Sequence, residues 1–331
     1  MNEPPGTFDQ KYWGEKGIDL SKGNYIHEYR LDNRMTDLVK IAPASPKRLI
    51  RVFPRRTKAT PLDDLARSPS KGAILPFPGF LDEADEIHID VTFTQDTPKA
   101  EMLAEQWKHV APVKVGGVAY GDNALDFTPG LYIKPGYTFT SRGCPRRCWF
   151  CSVWKRNGET TPIPITDGWN ILDDNLLACP EPHVRAVFAM LARQGRQIEF
   201  TGGLEALALQ DYQVGLLADL RPRPNCFFAY DPGDPFETLE SAASRMLASG
   251  FTECSHRLRA YVLIGYPKDT FTAATKRLEQ MISIGFTPHA MLWQPETPSA
   301  EKWRPSPEWG KFQRRWARPA IIHATRHGVA A

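Results

Sequence analysis

The sequence lacks a long apolar run. No stretch of 18 or more apolar residues occurs in its 331 residues, so no transmembrane helix is expected. The opening residues, MNEPPGTFDQKYWGEKG, carry no apolar h-region, so no secretory signal is expected either. An excess of one charge is also missing. The 41 Lys and Arg against 38 Asp and Glu leave +3, too little to argue for nucleic acid or an anionic membrane surface as partner. No internal repeat and no low-complexity tract is present, which removes solenoids and arrays. Six cysteines in a chain of this length are too few for a disulfide scaffold. Three of them lie within eight residues, which points to metal chemistry in a reducing compartment and to a cytoplasmic protein.

What is there is ordinary in bulk and unusual in one place. Hydrophobic residues make up 42% and charged residues 24%, as in a soluble globular chain with a substantial core. Proline is frequent at 29 and punctuates loops in the N-terminal half and the tail. The first 125 residues read as a small Rossmann-like α/β domain. Leu49–Phe53 and Ile87–Phe93 are expected strands, Pro98–Val110 a helix with Met102, Leu103, Gln106 and Trp107 at helical spacing, and Val113–Val118 a further strand. Residues 120–136, rich in Gly, Pro, Asp and Asn, read as a linker.

From Tyr137 the alternation becomes regular. Strands are expected at Tyr137–Ser141, Gly168–Asp173, Gln197–Thr201, Cys226–Tyr230, Arg259–Ile264 and His289–Trp293. Helices are expected at Pro182–Gln194, Asp211–Leu220, Pro235–Ser249 and Thr270–Ile284, the last two stopped by Gly250 and Gly285. The strands are near-continuous apolar runs, as in a parallel sheet covered on both faces. Over residues 126–295 this pattern fits an open, partial (β/α)6 barrel of TIM type. Residues 296–331 form a closing segment, in which Trp309, Phe312 and Trp316 recur at helical spacing and are expected to pack on the core while the arginines stay solvated. The alternative, that interleaved arginines and aromatics bind nucleic acid, is the less common use of such a pattern.

The residues that carry chemistry are TSRGCPRRCWFCSVW, from Thr140. Cys144, Cys148 and Cys151 have the spacing C-x3-C-x2-C. Soft thiolates select iron–sulfur clusters, zinc or copper(I). Four cysteines would close the shell of a cubane cluster, and this loop offers three, which leaves one iron open to a small molecule. Cys179, Cys226 and Cys254 are scattered singly and read as small buried or loop residues. No histidine is assigned a ligand role. A structural zinc site completed by a histidine is the plainer reading of the triad.

The C-x3-C-x-aromatic-C loop, placed directly after the first strand of a β/α array, resembles the radical S-adenosylmethionine (radical SAM) superfamily. The resemblance covers about Tyr137 to Trp293. It implies a [4Fe–4S] cluster on the three cysteines and S-adenosylmethionine on the open iron. It also implies reductive cleavage to a 5′-deoxyadenosyl radical, and a reductant such as a flavodoxin or ferredoxin. It places Phe150 beside the adenine. Thr201–Glu205 (TGGLE) is similar to the family's Gly-Gly-Glu segment, departing by an inserted Leu204. Gly202, Gly203 and Glu205 are thereby implied around the amino group. Asp173–Asp174–Asn175 is similar to the acidic strand end common in cobalamin-associated members. Asp173 there, Tyr230 and Asp231 near the ribose, and Gly265 after an apolar strand are implied on the same grounds. The N-terminal domain is similar to the cobalamin-binding domain of one subclass, but the D-x-H-x-x-G motif is absent, which argues against cobalamin. Two alternatives stay open at this point: a cobalamin-dependent radical methyltransferase, and a non-enzymatic iron–sulfur or zinc electron-transfer or interaction module.

Overall fold

Alternating apolar residues set the first sheet. Strand β1 (Leu49–Val52), the two-residue edge strand β2 (Ala66–Arg67), β3 (Glu86–Asp90), helix α1 (Thr97–Trp107) and β4 (Val113–Gly116) follow in chain order. The strands are all parallel, in the order β2-β1-β3-β4. In β3 the period of two turns Ile87 and Ile89 inward. They meet Leu103 and Trp107 of α1, and all four are essentially without exposure. Pro98 sits in the first turn of α1, where its missing N–H costs nothing. The computed structural model describes residues 47–70, 75–295 and 306–326. Residues 1–46 of the expected N-terminal domain, and Trp303 in the expected closing segment, lie outside them.

The second sheet has six parallel strands, and their order follows the sequence. Strand β5 (Tyr137–Thr138) is at one edge; β6 (Ser141–Arg142), helix α2 (Val153–Asn157) and β7 (Thr161–Pro162) come next, with β6 and β7 paired antiparallel outside the main sheet. Then come β8 (Asn170–Ile171), α3 (Glu181–Ala192), β9 (Glu199–Leu204), α4 (Asp211–Asp219) and β10 (Asn225–Tyr230). Helix α5 (Phe236–Ala248), β11 (Leu258–Ile264), α6 (Phe271–Ser283) and β12 (Thr287–Leu292) complete it, so that the sheet reads β5-β8-β9-β10-β11-β12. With right-handed crossovers, a sheet ordered this way carries its helices on one face.

The burial pattern agrees. Along β11, Leu258, Ala260, Val262 and Ile264 are buried against Leu278 and Met281 of α6, while Arg259, Tyr261 and Leu263 alternate on the other side. Coverage of both faces, expected from the apolar runs, is therefore not what this strand shows. The second face instead carries polar groups: the Asn170 and Asn225 amides donate to Glu199 at 3.1 and 3.0 Å, and the Tyr261 hydroxyl donates to the Thr201 carbonyl at 3.0 Å.

Helix α6 shows how local sequence sets an element. Thr270 caps it by accepting from the Ala273 N–H at 3.1 Å, its inward face is Ala274, Leu278, Met281 and Ile282, and Gly285 follows at φ 88°. Phe228 of β10 packs against Phe286, both fully buried, and burying each ring contributes about 1.5–3 kcal/mol. Helices α7 (Pro307–Trp316) and α8 (Pro319–Arg326) close the chain. As expected, Trp309, Phe312 and Trp316 form one apolar row: Trp309 lies 4.3 Å from the Phe271 ring, and Trp316 is buried. The two sheets are tied through the segment expected to be a linker. Arg51 of β1 donates to the Leu131 carbonyl at 2.6 Å, and the Lys134 N–H donates to the Ala59 carbonyl at 2.8 Å. No helix among the described residues is long and apolar enough to cross a membrane.

Candidate functional site

The cysteine loop leaves the sheet at β5 and is pinned before it reaches the first thiol. Asp173, just past β8, is without exposure. Its carboxylate accepts from the Thr140 N–H at 2.7 Å and from the Thr140 and Ser141 hydroxyls at 2.6 Å each. Burial nonetheless pushes its pKa up to about 6. Asp174 takes the next step and accepts from the Gly143 N–H at 2.8 Å. Gly143 has φ 93°, and a Cβ there would lie 2.2 Å from the Glu159 carbonyl oxygen. Only glycine lets the loop turn against the segment at Glu159.

Beyond Gly143 the three thiols line a cavity of about 260 Å³ at the C-terminal ends of β9 and β10. Such an edge is where ligands of parallel α/β sheets bind. Burial pushes all three thiols up, Cys151 to about 11. Several donors oppose this: the Arg146 N–H and the Asn175 amide at Cys144, the Arg146 side chain at Cys148, and the Val153 N–H at Cys151. N–H groups therefore aim at every one of the three sulfurs, as thiolate ligands require. Among the described residues, no three His, Cys, Asp or Glu side chains converge closely enough to hold a single metal ion as they stand.

The opposite wall comes from β9. Gly202 presses on the chain just after β8; a Cβ at that position would lie 2.3 Å from the Asp173 carbonyl oxygen. Gly203 has φ 103°. The Gly-Gly pair was expected to end the strand at Thr201, but β9 runs through it to Leu204. The pairing with β10 shifts register across the glycines, from Cys226 opposite Phe200 to Phe228 opposite Leu204. The inserted Leu204 belongs to the core at 2% exposure, and Gly203 and Glu205 line the cavity. Glu205 accepts from the Asn175 amide at 2.7 Å and pairs with Arg146 at 3.2 Å. Arg146 also reaches Asp234, beyond β10, at 2.5 Å. Asp231 lines the same wall, its pKa pushed up to about 7 by burial and by Asp234.

Of the residues singled out from the sequence, Cys144, Cys148, Cys151, Phe150, Gly202, Gly203, Glu205, Tyr230 and Asp231 line this one cavity. Tyr230 is mostly buried, and its hydroxyl donates to Gln280 at 3.2 Å. Asp173 and Gly265 are not in the wall. Asp173 spends its carboxylate on Thr140 and Ser141, so its place is behind the loop and not beside a ligand. Gly265 (φ 70°) lies against Trp309 and Leu292. Of the acidic strand end Asp173–Asp174–Asn175, it is Asp174 and Asn175 that line the wall. Sequence reasoning did not single out Arg146 or Asp234, and Arg146 had no signal beyond its seat between two cysteines.

In comparison with known proteins, no family model and no curated protein matches this chain.

Proposed function

We propose that this chain is a radical SAM enzyme. The observation that carries the reading is that the C-x3-C-x2-C thiols and the Gly202–Glu205 run, 51 residues apart from Cys151 to Gly202, line one cavity. In this reading the six-stranded sheet is an open (β/α)6 barrel of TIM type, and its C-terminal edge is the active face. The donor set fits a [4Fe–4S] cluster: three sulfurs, each met by N–H groups, and beside them a mainly apolar hollow that also carries Glu205, Asn175 and Asp231. Cys144, Cys148 and Cys151 would hold such a cluster, leaving one iron open to S-adenosylmethionine.

When bound and reduced by a flavodoxin- or ferredoxin-like donor, the cluster supplies the electron that splits the sulfonium into methionine and a 5′-deoxyadenosyl radical, which takes a hydrogen atom from a substrate. The protein's own work is orientation. Asp173 and Asp174 fix the entry to the loop, Glu205 offers a carboxylate to the cationic ligand, and Phe150 offers an apolar face to the adenine. Cobalamin has no role in this reading.

The test is anaerobic reconstitution with iron and sulfide, reduction with dithionite, incubation with S-adenosylmethionine, and mass spectrometry of the products. 5′-Deoxyadenosine is expected, and Cys148→Ala is expected to form none. Undiminished product from Cys148→Ala removes the ligand assignment. S-adenosylhomocysteine together with co-purifying corrinoid identifies a methyltransferase, and one equivalent of zinc without sulfide identifies a binding module.

A further inference from the structure

Asn175 is 3% exposed and lines the cavity. Its amide nitrogen has two neighbours, the Glu205 carboxylate at 2.7 Å and the Cys144 sulfur at 3.3 Å. A carboxylate only accepts, so the nitrogen and not the oxygen must face Glu205; this fixes the amide's orientation. The amide oxygen is then buried with no hydrogen-bond partner among the described residues. Buried acceptors are nearly always paired, and an orphan beside an open cavity implies a donor that arrives with a ligand. Glu205 stands next to it with a negative charge shared between Asn175 and Arg146.

We infer that Asn175 is a second ligand-binding residue of this site, whose Oδ1 accepts an N–H from the α-amino group of an amino-acid ligand while its Nδ2 holds Glu205 and Cys144 in place. The inference rests on the reading of the cavity as the S-adenosylmethionine site. Without that group, the Asn175 oxygen remains unmatched in a buried wall.

The experiment compares S-adenosylmethionine with its analogue lacking the α-amino group. Binding of each to the anaerobically reconstituted full chain is measured by calorimetry, for wild type, Asn175→Ala and Asn175→Ser. Variants are compared at wild-type iron content. Wild type should prefer the amine. Asn175→Ala should lose about tenfold or more in affinity for S-adenosylmethionine, with little change for the analogue, and Asn175→Ser should fall between. Equal losses for both ligands make Asn175 a structural residue and overturn the inference while leaving the site reading intact. If wild type binds neither ligand, the site reading falls and takes the inference with it.

Discussion

Asp90 ends β3 with its carboxylate against the Gly117 backbone, where a Cβ on Gly117 would lie 2.7 Å from Asp90 Oδ1. Burial, and the nearby Asp122 carboxylate, push the Asp90 pKa up to about 7. The ordinary value is 3.8. The folded state therefore holds the proton more tightly than the unfolded chain between these two limits. Stability from this group is full below about pH 4 and is lost as pH rises through about 7. The shift of roughly 3 units corresponds to about 4 kcal/mol at 1.36 kcal/mol per unit.

Asp90→Asn removes the charge and keeps the shape. The buried amide has its own desolvation cost of about 1–2 kcal/mol. The variant should then be more stable than wild type by about 2 kcal/mol at pH 8, and no more stable at pH 4. Urea unfolding at the two pH values, with unchanged slopes, gives the comparison directly. A difference that does not grow with pH refutes the placement of Asp90 as a buried charge facing another carboxylate.

Three further outcomes are expected. Gly143→Ala puts a Cβ 2.2 Å from the Glu159 carbonyl oxygen at φ 93°, so it should cost roughly 3 kcal/mol in unfolding free energy, and a loss under 1 kcal/mol would contradict the close approach. Trp107→Ala empties the core of the first sheet and orphans the Pro76 carbonyl, which accepts from the indole N–H at 2.9 Å; it should lower the unfolding free energy by about 3–5 kcal/mol in a denaturant melt. Thiol alkylation followed by peptide mass spectrometry should label exposed Cys254 in the folded protein and leave buried Cys179 and Cys226 unmodified until denaturant is added.

Much of the fold could be read from apolar periodicity because β9 to β12 of the second sheet run six or seven residues each and the helices carry clear stops. Helix α6, from its Thr270 cap to Gly285, is such a case. The parts that could not be read are those fixed by contacts distant in sequence. The strand expected at Tyr137–Ser141 breaks after Thr138, because Thr140 and Ser141 turn their hydroxyls to Asp173 and residues 141–142 pair with Thr161–Pro162. The expected strand stops at Thr201, but β9 runs on through Gly202 and Gly203, and the missing side chain of Gly202 admits the chain after β8. That the three thiols line one cavity was legible because they lie within eight residues of one loop. Their polar neighbours were not: whether Asp173 or Asn175 reaches the cavity depends on which carboxylate the loop consumes on the way.

The walls of the cavity run from Cys144 to Leu239, and this has a consequence for biosynthesis. The last thiol, Cys151, leaves the ribosome 239 − 151 = 88 residues before the last wall residue. At about 5–20 residues per second, the three cysteines spend roughly 4–18 s in the nascent chain before α5 can close behind them. During that interval they are exposed to oxidants and to stray metal ions. Keeping these thiols reduced is a problem of timing during translation as much as of the finished structure.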